Sequence, residues 1–286
     1  MSMPVILTYL TTAPGLFFLS ASLYSIIALY LWQRQWTSSI AQFRPQPSHD
    51  RLLQFTIATT LLIHAVALYK HMFFDGLLYI GLGDSISVIL WLTVMIYWLG
   101  HWFYPLLGLH SLVLPFAAMS AALPPFLAPT RAIENTELWA FKLHLLIAML
   151  AYSLFTIASL HVLLMRMLQR HLHRPALPIG LRHLPPLLTM EALLFKMIWA
   201  GFICLTLTLM SGIIFSEEIF HKAVQFNHKT VFGIFSWMVF ATLLIGRHRY
   251  GWRGRIAIRW TLIGFLFLVL AYLGSKFVIE ILLGRG

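Results

Sequence analysis

The chain has 286 residues, of which 60% are hydrophobic and only 10% are charged. Soluble domains carry about 25% charged residues, so that class is excluded. The formal net charge of +11 lies in short segments between apolar runs, where it orients spans rather than reading nucleic acid.

The apolar runs reach membrane-crossing length and lack the alternation of a β-barrel, which predicts an all-α polytopic transmembrane bundle. Eight spans of roughly 20 residues are expected, at about 12–32, 52–72, 84–101, 104–122, 138–166, 188–214, 229–246 and 258–282. The N-terminus has no basic n-region and runs into the first span without a cleavage site, so that span reads as a retained helix. Spans three and four are separated only by Trp102, Phe103 and their neighbours, and Tyr104 and Pro105 mark a tight hairpin or a kink. Pro45 and Pro47, then Pro115, Pro124, Pro125 and Pro129 at the exit from span four, then Pro175, Pro178, Pro185 and Pro186 are expected where helices stop. No linker is long enough for a soluble domain, so residues 1–286 are read as a single integral membrane domain.

Loop charge sets the orientation. Arg34, Arg44 and Arg51 follow span one. Arg166, Arg170, Arg174 and Arg182 separate spans five and six, and Arg247, Arg249, Arg253, Arg255 and Arg259 separate spans seven and eight. These segments are expected inside. Asp75 and Asp84, Glu134 and Glu137, and Glu217 and Glu218 mark the alternate loops, which puts both termini on the outer, periplasmic side.

Ionisable side chains inside a membrane are costly and are therefore the first functional candidates. They are His64 in span two, Lys142 and His144 in span five, Glu191 and Lys196 in span six, His228 opening span seven, and Lys276 with Glu280 in span eight. His144 shares its helical face with Ala148 and Ala151, at i+4 and i+7. That face either leaves room for a flat ligand or lets a neighbouring helix approach while the imidazole bonds a backbone carbonyl. By the loop charges His228 lies on the same side as His144. Two neutral imidazoles at similar depth on different helices are what axial ligation of a haem iron needs.

His64 and His71 stand seven residues apart on one stripe, suited to a metal, to a proton relay, or to plain burial against backbone carbonyls. His161, His171, His173, His183 and His248 are expected to be solvated among the arginines. Glu191 is expected to serve Arg182 or a residue of another span while Lys196 snorkels, and Lys276 is expected to pair with Glu280. The run around Tyr250 and Trp252 reads as a positive-inside anchor in contact with membrane lipid. The single cysteine, Cys204, admits no intrachain disulfide and no Cys-x-x-Cys motif.

The segment from Leu184 to Glu191, then Phe195, Trp199, Gly201 and Phe202, His228-Lys-Thr, Gly246 to Arg255, and Tyr272 to Val278 together resemble the YpjD-like branch of the cytochrome c assembly family, which includes CcsA, CcmC and HemX-type membrane proteins. The resemblance covers most of the chain and is densest over about 138–282. It implies haem as cofactor or cargo at the outer face of a bacterial inner (cytoplasmic) membrane, with cytochrome maturation or haem-accepting proteins as partners. It further implies His144 and His228 as ligands of the haem iron and His64 as an intramembrane haem-binding histidine. Glu191 and Arg247 match positions of the branch.

The stretch from Ser216 to Phe226 lacks the tryptophan-rich platform of the synthases, and Asn227 stands where the branch has aspartate. The implied role is therefore coordination and delivery of haem, not bond-making catalysis. A small-cation transporter, or an accessory subunit of one, is the alternative, with Glu191, Lys196, Lys276 and Glu280 as its working charges.

Overall fold

The computed structural model describes residues 12–37, 47–74, 77–103, 107–127, 138–171, 186–218 and 228–278. These form α1 (Ala13–Thr37), α2 (Pro47–Met72), a two-stranded ribbon of β1 (Phe73–Phe74) and β2 (Leu77–Leu78), α3 (Leu82–Gly100), α4 (Leu107–Ala121), α5 (Trp139–His171), α6 (Leu187–Glu218), α7 (His228–Tyr250) and α8 (Arg255–Val269). The last helix continues through a π turn, Leu270–Gly274, into Ser275–Phe277. The all-α expectation holds.

Seven of these stretches are long and apolar enough to cross a membrane. The fourth expected span is shorter: α4 has 15 residues, about 22 Å at 1.5 Å per residue, against a hydrocarbon core of about 30 Å. Pro115, expected where the helix stops, lies inside it; the helix ends at Ala121, before a turn that contains Pro124 and Pro125. Within that turn, Leu127 donates its N–H to the carbonyl of Leu123. Between the third and fourth helices, Trp102 and Phe103 sit in i→i−3 turns at the end of α3 and are strongly exposed.

The helices form two compact units, one holding α1–α4 and the other α5–α8. In the first, α1 packs on α2 and α4, and α3 closes the ring against α2 and α4. Two indoles set the α2/α3 register. Trp91 Nε1 donates to the Leu61 carbonyl at 2.9 Å and Trp98 Nε1 to the Gln54 carbonyl at 3.1 Å, each pair being seven residues from the other along its helix. An indole N–H in an apolar bundle needs such an acceptor, and a helix carbonyl with a second lone pair supplies it.

In the second unit α5 and α6 run antiparallel. Gly201 faces the Phe155 ring, and His161 Nε2 donates to the Met190 carbonyl at 2.8 Å. Helices α6 and α7 are also antiparallel, with Trp237 Nε1 donating to Thr206 Oγ1 at 2.9 Å and Phe202 stacked on Trp237. Therefore α5 and α7 run parallel, and Phe155 and Phe240 stack between them with centroids 3.9 Å apart. A Cβ on Gly264 of α8 would come within 2.7 Å of the Phe240 ring. The core is thus a four-layer sandwich, Gly201, Phe155, Phe240, Gly264, in which each outer glycine gives its helix room to lie on a ring face.

Tyr152 donates its hydroxyl to the Leu268 carbonyl at 2.8 Å, two residues before the π turn begins. A π turn interrupts the i→i−4 ladder, and the buried tyrosine supplies a donor at that point.

Candidate functional site

One end of the second unit carries His144 and His228. His144 Nδ1 lies 2.7 Å from Ser211 Oγ on α6. A Cβ on the neighbouring Gly212 would come no nearer than 3.7 Å to the imidazole. Ser211 Oγ also lies 2.7 Å from the Leu207 carbonyl, the acceptor one turn back on its own helix. A hydroxyl has one proton. With that proton directed to a helix carbonyl, the oxygen is placed to accept from His144 Nδ1–H, an arrangement that goes with the Nδ1-protonated tautomer.

His228 is the first residue of α7 and is exposed. Eleven residues back from Phe155 on α5 lies His144, and twelve back from its stacking partner Phe240 on the parallel α7 lies His228. The two histidines are therefore level along the bundle to within about one turn, roughly 5.4 Å. At the C-terminal part of α8, Lys276 Nζ lies over the Tyr272 ring, 5.7 Å from its centroid. Glu280, the partner expected for Lys276, lies outside the described residues, as do Asp75, Glu134, Glu137, Arg44, Arg174, Arg182, His173 and His183.

The opposite end of the same unit holds an ion pair that sequence reasoning left unassigned. Glu191, 5% exposed, accepts from Arg247 Nη1 at 2.8 Å. The same nitrogen lies 3.3 Å from the Trp252 carbonyl, and the guanidinium carbon sits 4.6 Å from the centre of the Phe195 ring. The partner of Glu191 is thus Arg247, from another span. The α7–α8 connection turns at Gly251 (φ 65°) and Gly254 (φ 58°), left-handed positions that glycine adopts without strain. This folds the Trp252 indole onto Gly246, where no side chain intervenes.

His161 differs from expectation. It is fully buried, with Nε2–H given to the Met190 carbonyl, because its register on α5 points it at α6 and not at solvent. His248 is exposed, as expected, and so is Lys196.

In the first unit, His64 is fully buried, with Nε2 2.8 Å from Ser87 Oγ and Nδ1 3.4 Å from the Tyr24 hydroxyl. Both ring nitrogens face side chains, not backbone carbonyls. His71, on the same stripe, has Nδ1 2.9 Å from Asp84 Oδ1. The Phe17 ring meets both imidazoles edge-on, with centroids 6.0 Å and 5.5 Å away.

Asp84, expected as a loop charge, is instead a fully buried residue of α3's first turn. Its Oδ2 accepts the Gly81 N–H at 2.9 Å, and its Oδ1 faces His71. The signal available in sequence was its place three residues into the helix, where a carboxylate closes a capping box and meets the positive end of the helix dipole. Among the described residues no group of three or more His, Cys, Asp or Glu is arranged to hold a bare metal ion.

Residues 52–283 match the family model described as Cytochrome C assembly protein. The chain belongs to the cytochrome c assembly protein family. It is a multi-pass membrane member, and the match reaches from α2 to beyond the last described residue, further toward the N-terminus than the densest part of the sequence resemblance. The chain is 28% identical over 240 residues to the inner membrane protein YpjD of Escherichia coli (strain K12), covering 81% of this chain and 88% of that protein. It is 25% identical over 210 residues to the cytochrome c biogenesis protein CcsA of Chlamydomonas reinhardtii, 70% of this chain and 58% of that one. A shorter match, 33% over 89 residues, is to CcsA of Prochlorococcus marinus (strain MIT 9215), 31% of this chain and 29% of that protein. No solved structure matches the chain.

Proposed function

We propose that this protein handles haem in the bacterial inner membrane, with His144 and His228 as ligands of the haem iron on the outer side, and that it passes haem to cytochrome maturation or haem-accepting proteins. The observation that carries the proposal is the 2.7 Å contact of His144 Nδ1 with Ser211 Oγ, whose own proton has the Leu207 carbonyl as an acceptor; this favours an Nδ1-protonated imidazole that would ligate through Nε2, and the histidine levelled with it on α7 is His228.

The surroundings suit a flat, largely apolar cargo. Gly212 leaves the face of α6 beside His144 bare, Ala148 and Ala151 follow on α5, and Trp237 and Phe202 stack further along. Haem iron favours neutral imidazole, and a hydrogen bond at the distal ring nitrogen orients the ring and raises its basicity. The role proposed is coordination and release. His64, with both nitrogens engaged, would have to give up Tyr24 or Ser87 before it could ligate; it is proposed as a transit position.

The cation-transport alternative needs an intramembrane carboxylate free to exchange its partner. Of the two carboxylates that reading would use, Glu191 already faces Arg247, and Glu280 lies outside the described residues.

The test is a visible spectrum of the purified full chain from haem-replete cells. A Soret band that shifts on reduction is expected, and a His144→Ala/His228→Ala double variant should lose it. An equally empty spectrum from both proteins overturns the proposal.

A further inference from the structure

The arginine end of the second unit carries charge that the haem-handling role does not use. Of the arginines around the α7–α8 connection, Arg247 is the one that turns inward to a carboxylate among the described residues. Arg249, Arg253, Arg255 and Arg259 are all exposed, and none pairs with a carboxylate among the described residues. Gly254 lies against Gln169 of α5, which brings exposed Arg166 and Arg170 to the same end. Arg166 and Arg170, like Arg255 and Arg259, are four apart and share a helical face.

Six exposed guanidinium groups at one end of the unit make a positive surface that attracts anions. The connection that carries the central one is fixed: the Trp252 N–H bonds the Gly246 carbonyl at 3.2 Å, the Trp252 carbonyl accepts from Arg247, and Trp252 packs beside Trp260 at 5.5 Å. An anion meeting Arg253 therefore loses little loop entropy on binding.

The surface directly beneath decides which anion. Ile245, Ile256 and Ile263 are 57%, 43% and 46% exposed on α7 and α8, and Met167 of α5 is 48% exposed. A soluble polyanion would meet the cations and leave this apolar flank unmatched. A phospholipid matches both, with its phosphate at the guanidinium groups and its acyl chains along the isoleucines, while the exposed Tyr250 stands at the level where aromatic rings meet headgroups.

We propose that this end of the second unit is a binding site for anionic glycerophospholipid, with Arg249, Arg253, Arg255 and Arg259 as its headgroup ligands and Arg166 and Arg170 as flanking contacts. The proposal is independent of haem binding.

The test uses the purified full chain in neutral detergent, with thermal unfolding followed as a short-chain phosphatidylglycerol is titrated. Phosphatidylcholine of the same chain length, inorganic phosphate and a single-stranded oligonucleotide serve as the other probes. Phosphatidylglycerol alone should raise Tm with saturation. Changing the four arginines singly to glutamine should weaken its half-saturation by about fivefold each, the factor equivalent to ~1 kcal/mol per basic residue at a lipid surface. The fourfold lysine variant keeps the charge and should keep most of the response, which separates loss of the site from loss of the fold; removing Arg34 and Arg51 of the first unit should leave the response unchanged. An equal shift with phosphatidylcholine, a stronger one with the oligonucleotide, or an undiminished response in the glutamine variants overturns the proposal.

Discussion

Ser211 Oγ sits 2.7 Å from His144 Nδ1 and 2.7 Å from the Leu207 carbonyl, so one hydroxyl contacts both a carbonyl of its own helix and an imidazole on another, an arrangement that favours the Nδ1-protonated tautomer. Ser211→Ala removes the acceptor while leaving the helix ladder intact. Loss of such a supporting hydrogen bond typically costs 10–100-fold in metal affinity. Haem affinity of the variant, titrated by its Soret absorbance, is expected to fall by about that factor, with a stability loss of only about 1 kcal/mol. Undiminished affinity would remove the tautomer argument for His144.

The Glu191–Arg247 pair predicts a different signature. Glu191 is almost wholly buried and Arg247 about a third exposed, so deleting either partner leaves the other with an unmet charge, more severely for the glutamate. Arg247→Gln is expected to destabilise by about 3 kcal/mol and Glu191→Gln by somewhat less, since the arginine can reach water. The double variant should lie well short of the sum, because the two changes remove the same interaction. A double-mutant cycle by thermal unfolding in detergent reads this directly, and additivity would show the pair to be uncoupled.

The glycine–phenylalanine sandwich makes a steric prediction. A Cβ at Gly264 would lie 2.7 Å from the Phe240 ring, whereas one at Gly201 would lie 3.1 Å from the Phe155 ring. Phe240 cannot move away without disturbing Phe155, on which it is stacked. Gly264→Ala should therefore cost about 2–3 kcal/mol and Gly201→Ala about 1 kcal/mol, in the range of overpacked cores. Unfolding of the two single variants in the same detergent gives the order; the reverse order would contradict the sandwich.

Sequence carried the helices well because the bilayer imposes one criterion, a run of about 20 apolar residues, that no tertiary contact has to supply. The exception was α4, whose apolar run is long enough in sequence but whose described helix has 15 residues, followed by a turn that contains Pro124 and Pro125. Side-chain partners were far less legible. His161 lies five residues before Arg166 and Glu191 nine after Arg182, and sequence alone could not say that one turns to the Met190 carbonyl and the other to Arg247, since that depends on the rotation of α5 and α6 about their axes. Asp84 is hard to place from sequence for a related reason. A lone aspartate between apolar runs has the pattern of a loop charge, and only its position relative to the first turn of α3 distinguishes it.

The last prediction concerns that aspartate. Asp84 is fully buried and accepts from two donors, the Gly81 N–H at 2.9 Å and His71 Nδ1 at 2.9 Å. Asp84→Ala leaves both donors without an acceptor in an apolar bundle, and each orphaned group costs about 1–3 kcal/mol. A loss near 4 kcal/mol is therefore expected. Asp84→Asn keeps one acceptor oxygen but turns an amide N–H₂ toward the other donor, so a loss near 2 kcal/mol is expected. His71→Ala on its own removes one donor and leaves the Gly81 bond intact, so it should cost less than Asp84→Ala. In the His71→Ala/Asp84→Ala double variant only the Gly81 N–H remains orphaned, which should recover about 1–2 kcal/mol relative to the sum of the single changes. Thermal unfolding of the four proteins in one detergent closes the cycle. A coupling of zero would mean that the histidine and the aspartate are neighbours without an interaction.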